Sequence, residues 1–79
     1  MNTNEFKAAR IRKGYTQEKL SKLLGVTKSS LSRKENGLTP FNCIEVSILK
    51  EILKLTPEEI DNIFFNEKVV FKTTKNNTG

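Results

Sequence analysis

Residues 16–37 read TQEKLSKLLGVTKSSLSRKENG, and this stretch sets the arrangement of the rest of the chain. Thr16 and Thr27 each precede a short amphipathic segment, where a hydroxyl side chain can cap the first turn of a helix. Gly25 and Gly37 each follow such a segment, where a residue with positive φ commonly ends a helix. The stretch therefore predicts two short helices that are joined too closely to pack antiparallel and must cross at a steep angle.

The same kinds of signal predict helices on either side of this pair. Gly14 ends an earlier amphipathic segment, and Asn42 begins a capping box with Glu45. Another capping box, Thr56-Pro57-Glu58-Glu59, has proline at the first helical position. The predicted helices span residues 4–13, 17–24, 28–36, 43–54 and 57–65. Their short connections predict a compact all-α domain.

The last fourteen residues differ in character from the rest. Residues 66–79 are rich in asparagine and threonine, with one apolar island at Val69-Val70-Phe71. We predict a single domain over residues 1–65, followed by a short extended segment and a flexible tail over 66–79. No window approaches the ~18 apolar residues of a membrane span, and charges interrupt the first twenty residues, where a signal peptide is apolar. These features predict a cytoplasmic protein without a membrane partner.

Missing residue types exclude many kinds of catalytic and metal site. The chain has no histidine and one cysteine, Cys43, which rules out Cys/His zinc sites, Ser-His-Asp triads and disulfide frameworks. A lone cysteine among apolar residues is typical of a core side chain, and we expect this for Cys43. Glu58, Glu59 and Asp61 could serve an enzyme, but their place at a helix start explains them. The sequence thus indicates no enzyme, no metal, no cofactor and no small-molecule ligand.

Charge is distributed unevenly between the two halves of the chain. Residues 1–40 hold nine basic and three acidic side chains, and residues 41–79 hold five and six. The basic half is a candidate surface for binding a polyanion, and the nearly neutral half is a candidate scaffold or partner surface. Residues 28–36 add short hydroxyl and long cationic side chains around one principal apolar residue, Leu31. Such a helix face suits an approach to phosphates or base edges.

The crossed pair of helices at residues 16–37 has the layout of a helix-turn-helix. Any small helical bundle contains such a pair, so spacing alone leaves a structural and a DNA-binding interpretation open. The residues resemble those of the Cro and phage-repressor family of helix-turn-helix proteins. The matching positions are Thr16, Gln17, Glu18, Leu20, Leu24, Gly25, Val26, Thr27, Ser29, Leu31, Ser32, Arg33, Glu35, Asn36 and Gly37. Residues 41–46 and 53–65 also look like short regulators of phages and mobile elements of low-GC Gram-positive bacteria.

The resemblance covers residues 5–65 and implies a five-helix, lambda-repressor-like domain that binds double-stranded DNA. In this family the second helix of the motif lies in the major groove. The positions implied to contact bases are Lys28, Ser29, Ser32 and Arg33, and those implied to contact phosphates are Gln17 and Asn36. Lys34 departs from the apolar or aromatic residue usual at its position, and its ammonium is a further candidate for a phosphate contact. Arg10 and Glu35 match a buried salt bridge between helix 1 and helix 3, although Arg10 alone would also fit a phosphate.

Helix 4 carries more apolar side chains than contact with one core requires. They cover an arc of roughly 200°, wider than the ~100° stripe of a surface helix. We expect the surface formed by Ile44, Ile48 and Ile52 to be covered, either by the Val69-Val70-Phe71 island or by a second subunit. A palindromic operator needs two recognition helices about 34 Å apart, which favours a homodimer.

Two functions from different classes fit the sequence. The first is a sequence-specific transcription regulator, Cro-like or repressor-like, that acts by occluding a promoter. The alternative is an antitoxin-like module that binds another protein and for which DNA binding is secondary. The sequence shows no further partner-binding domain, which favours the first.

Overall fold

The computed structural model describes residues 1–65, which form five α-helices. The helices are α1 (Thr3–Arg12), α2 (Gln17–Leu24), α3 (Lys28–Glu35), α4 (Cys43–Leu53) and α5 (Pro57–Phe64). The all-α prediction is confirmed, and every predicted helix bound lies within one residue of the observed one. The extended segment predicted at Val69-Val70-Phe71 lies outside the described residues.

Side-chain caps fix where the helices begin. Thr16 Oγ1 accepts a hydrogen bond from the Lys19 N–H at 3.1 Å, and Thr27 Oγ1 accepts one from the Ser30 N–H at 3.0 Å. Both capping boxes, at α4 and α5, are complete. An additional cap begins α1, where Asn2 accepts from the N–H three residues ahead. These local contacts explain why the bounds could be predicted from sequence.

All five helices contribute side chains to the core. α1 packs against α3 and α5, and α2 packs against α3 and α4. The buried apolar side chains are Phe6, Ala9, Leu20, Leu24, Leu31, Leu49, Leu53, Leu55 and Ile63. Beside them Phe6, Phe41 and Phe64 form an aromatic cluster with ring centroids 5.1 to 6.4 Å apart. None of the helices within residues 1–65 is long and apolar enough to span a membrane.

The beginning of α1 and the end of α5 lie side by side. The Asn2 N–H donates to the Ile63 carbonyl oxygen at 2.7 Å. Because Phe6 and Phe64 also contact each other edge to face, the first and last helices close the structure against one another.

Two sequence predictions about α4 need correction. Cys43 is exposed, because it is the first residue of α4 and the core side of that helix is formed further along by Leu49 and Leu53.

The apolar surface of α4 is narrower than the sequence predicts. Ile48 and Ile52 are half-buried and pack against the core of their own chain. Ile44 is 72% exposed. Of the three isoleucines proposed as a covered surface, only Ile44 is therefore largely open to a partner.

Ion pairs at the surface join α1 to the start of α5. Glu59 accepts from Arg12 Nη2 at 2.9 Å and lies 3.5 Å from Lys13 Nζ. The backbone N–H of Thr56 donates to the same carboxylate, and this bond, followed by the one from Arg12, lowers the pKa of Glu59 from 4.5 to about 2. The charged carboxylate therefore favours the folded state.

We expect a fall in pH to remove the stabilisation that the charged Glu59 carboxylate provides. Because the pKa is lower in the folded chain, the stabilisation is complete above pH 4.5 and is lost as the pH falls from there toward about 2. Glu59→Gln should lower the free energy of unfolding at pH 6 and have a smaller effect at pH 3, as measured by urea denaturation. Glu58→Gln, at an exposed neighbour, is the matched control. If Glu59→Gln lowered the free energy of unfolding equally at both pH values, the charge of Glu59 would not be the source of the stabilisation.

Candidate nucleic-acid interface

The turn between α2 and α3 fixes their crossing. Gly25 has φ +83°, and its N–H and that of Val26 both donate to the Ser21 carbonyl oxygen, at 2.9 and 3.0 Å. This left-handed conformation costs a residue with a side chain about 1–2 kcal/mol. Val26 packs against the core and thereby holds the turn between α2 and α3 in place. The two helices therefore form a helix-turn-helix, as the sequence predicts.

A buried ion pair holds the inner face of α3. Arg10 Nε donates to Glu35 Oε1 at 2.8 Å, and Arg10 Nη2 donates to Glu35 Oε2 at 3.2 Å. Arg10 Nη1 also donates to the Tyr15 carbonyl oxygen at 2.8 Å. Glu35 is 1% exposed and Arg10 9%. This is the salt bridge that the resemblance implies, and it fixes the C-terminal end of α3 to α1 and to the loop before α2.

The outer face of α3 presents polar side chains to solvent. At 100° per residue, Ser29, Arg33 and Asn36 lie within an arc of about 60°, and all three are exposed. Ser32 is half-buried at the edge of this arc, and Lys28 is exposed in the first turn. The structure thus places Ser29, Ser32, Arg33 and Asn36 on one side of α3, whereas Lys28 lies about 100° around the helix from Ser29. We call the first four residues the outer face of α3.

Lys34 is placed differently from the other predicted contacts. It lies about 100° around the helix from Arg33, and its side chain is only 13% exposed. Its ammonium donates to Glu45 on α4 and lies 6.0 Å from the centre of the Phe41 ring. The ammonium is therefore engaged within the protein and does not extend toward a phosphate. We accordingly drop Lys34 from the residues proposed to contact DNA.

Glu45 was missed as a partner of α3. Burial alone would raise its pKa, but hydrogen bonds from Lys34 and from the backbone N–H of Asn42 outweigh that effect and lower it. The capping box predicted a local role for Glu45, and the same carboxylate serves both purposes. No sequence signal indicates the second role, because it depends on how α3 and α4 pack.

The N-terminus of α2 is the second predicted contact region. Gln17 is the first residue of α2 and is half-buried. The first N–H groups of a helix have no partner within it and favour anions, and the Thr16 side chain satisfies that of Lys19. The side chain of Gln17 therefore stands beside a group of donors suited to a phosphate.

Pairing reduces the number of free cations in the basic half of the chain. Arg10, Arg12, Lys13 and Lys34 are engaged with carboxylates as described, and Lys22 lies 3.8 Å from Glu18. Four other basic side chains are exposed and form no ion pair within residues 1–65; they are Lys7, Lys19, Lys28 and Arg33. These cations are distributed over α1, α2 and α3, and the predicted DNA contacts lie on α2 and α3 and directly after α3.

A helix-turn-helix whose inner face is fixed to the core and whose outer face is polar and exposed is typical of DNA-binding domains. Comparison with protein families agrees, since a family model described as helix-turn-helix matches residues 6–62. The chain belongs to this family, which is the Cro and repressor type of helix-turn-helix regulator. No curated protein and no solved structure gave a match. The narrower likeness to regulators of phages and of low-GC Gram-positive bacteria stays a prediction.

Proposed function

We propose that the protein is a sequence-specific transcription regulator that binds a palindromic operator as a homodimer in the cytoplasm and represses by occluding the promoter. The observation that carries the proposal is the outer face of α3, which is open and polar while the opposite face is fixed by Leu31 and Glu35. A rigidly held helix with free hydroxyl, amide and guanidinium groups suits readout of base edges.

Each side chain of the outer face, and likewise Lys28 and Gln17, has a chemistry that fits a DNA contact. The guanidinium of Arg33 matches the O6 and N7 acceptors of guanine, and Lys28 can make a less directional contact of the same kind. Ser29 and Ser32 can donate to or accept from several bases. We assign Asn36 and Gln17 to phosphates, where they would set the position of α3 without reading sequence.

Exposed apolar side chains near the end of α3 support the homodimer. Leu38 in the α3–α4 connection is 76% exposed, and Ile44 in the first turn of α4 is 72% exposed. Large apolar side chains in solvent commonly mark protein interfaces. A second copy packed here would place two recognition helices on one duplex, as a palindromic operator requires.

The test begins with selection of bound sites from a random duplex library. A palindrome whose half-sites lie about one helical turn apart would support two copies on the operator. A single asymmetric site would contradict the homodimer. The selected duplex then supplies the cognate sequence for measurements on variants.

Arg33→Ala should weaken binding to the selected duplex by about 1–3 kcal/mol and change binding to a scrambled duplex much less. Gln17→Ala, which removes a phosphate contact, should weaken both duplexes to a similar extent. Lys50→Ala, at an exposed cation on α4, is the control for loss of one charge. Affinities are measured at one fixed salt concentration. If Arg33→Ala weakened binding to both duplexes equally, Arg33 would be assigned to a phosphate contact and not to a base contact.

A further inference from the structure

An apolar groove lies beside the aromatic cluster and has no role in the proposed DNA contacts. It has a volume of about 520 Å³ and runs between the α3–α4 connection, the first turn of α4 and the end of α5. Its walls include Pro40, Phe41, Val46, Phe64 and Phe65, with Cys43 at its edge. An apolar groove of this size is a candidate site for an apolar partner.

Charge at the groove favours an uncharged occupant. Within residues 1–65, Lys34 is the charged side chain that lines it, and its ammonium is paired with Glu45. An incoming carboxylate would have to compete with Glu45, and an incoming cation would meet Lys34. An apolar peptide segment needs neither partner.

The chain itself carries such a segment next to the groove. Phe65 lines the groove and is followed directly by residues 66–79. The sequence contains two runs of three consecutive large apolar residues, and these are Ile63-Phe64-Phe65 and Val69-Val70-Phe71. The first run contributes to the core and the groove wall. The second begins four residues after Phe65, a distance of at most about 14 Å for an extended chain.

We propose that Val69-Val70-Phe71 of the same chain occupies this groove. Asn66, Glu67 and Lys68 are polar and separate the two apolar runs in the sequence. The tether keeps the effective concentration of the segment high, so that a small apolar contact suffices to hold it. The occupied groove adjoins the end of α3, where Lys34 and Gly37 line its wall, and the segment thereby packs behind the recognition helix.

Nuclear Overhauser contacts in the full chain test the proposal. We expect cross-peaks from the side chains of residues 69–71 to Phe41, Val46 and Phe64, because protons packed in one groove lie close together. The double variant Val70→Asp/Phe71→Asp should lose these cross-peaks, while its circular dichroism shows the same helix content. The matched control Thr73→Asp/Thr74→Asp adds the same charge to the same segment and should keep them.

A sample that mixes isotopically labelled and unlabelled chains shows whether the segment in the groove comes from the same chain or from a second copy. Cross-peaks within one chain support the proposal. Cross-peaks only between labelled and unlabelled chains would overturn it and assign the groove to a second copy. The absence of cross-peaks from residues 69–71 in the wild-type chain would also overturn it. None of these outcomes depends on DNA, so failure here leaves the proposed function in place.

Discussion

Replacing Glu35 with leucine is expected to lower the free energy of unfolding by about 3–5 kcal/mol, because the change leaves the Arg10 guanidinium buried without its anion. Leucine has a similar size, so the decrease in the free energy of unfolding comes mainly from the missing charge. Both carboxylate oxygens of Glu35 accept from Arg10, and Glu35 is almost completely buried. Such a loss is a large part of the total stability of a small domain, and we expect urea denaturation at neutral pH to show it.

A second substitution should recover much of this loss. In Arg10→Met/Glu35→Leu neither charge is buried, and replacing a whole buried pair by apolar residues is often neutral or stabilising. Glu18→Leu is the control, because it removes the exposed carboxylate 3.8 Å from Lys22 and should cost less than about 1 kcal/mol. If Glu35→Leu cost no more than Glu18→Leu, the buried pair would not be what holds α3.

Raising the salt concentration from about 50 to 200 mM should weaken operator binding about a thousandfold, if roughly six phosphates are neutralised across a dimer. Each chain offers the four exposed cations Lys7, Lys19, Lys28 and Arg33 and the N-terminus of α2. About three phosphate contacts per chain give a slope of about −5 for log K against log salt. Titrations at several salt concentrations measure this slope directly.

The control is a cation outside the proposed interface. Lys50→Ala removes an exposed positive charge from α4 and should leave the slope unchanged. Lys19→Ala should make the slope shallower by about two, because one phosphate contact is lost in each half of the operator. A flat dependence on salt for the wild-type chain would contradict DNA binding through the basic half.

The helices could be predicted because their limits depend on neighbouring residues. Thr16, Thr27, Asn42 and Thr56 cap helices through bonds to N–H groups three residues ahead, so each signal is complete within four residues. The end of α4 gave a weaker signal, since Lys54 adopts a left-handed φ of +51° where glycine is usual. The bound was still placed within one residue because the next capping box begins at Thr56.

The candidate site could be predicted only in part. The outer face of α3 follows from helix periodicity once Leu31 and Glu35 are placed inside. The pairing of Lys34 with Glu45 depends on how α3 packs beside α4, which no local pattern encodes. The position of Cys43 was wrong for a related reason: apolar neighbours in sequence do not show which side of the first turn of a helix meets the core.

The hydrogen bond from Asn2 to Ile63 makes the helices of residues 1–65 a closed ring in chain order. A domain whose first and last helices meet can be cut in a surface loop and rejoined by a linker between those two helices. The exposed α3–α4 connection at Leu38 and Thr39 provides such a loop. A rearranged chain could therefore begin with α4 and end with α3, and the geometry that presents the recognition helix would not depend on the order in which the helices are synthesised.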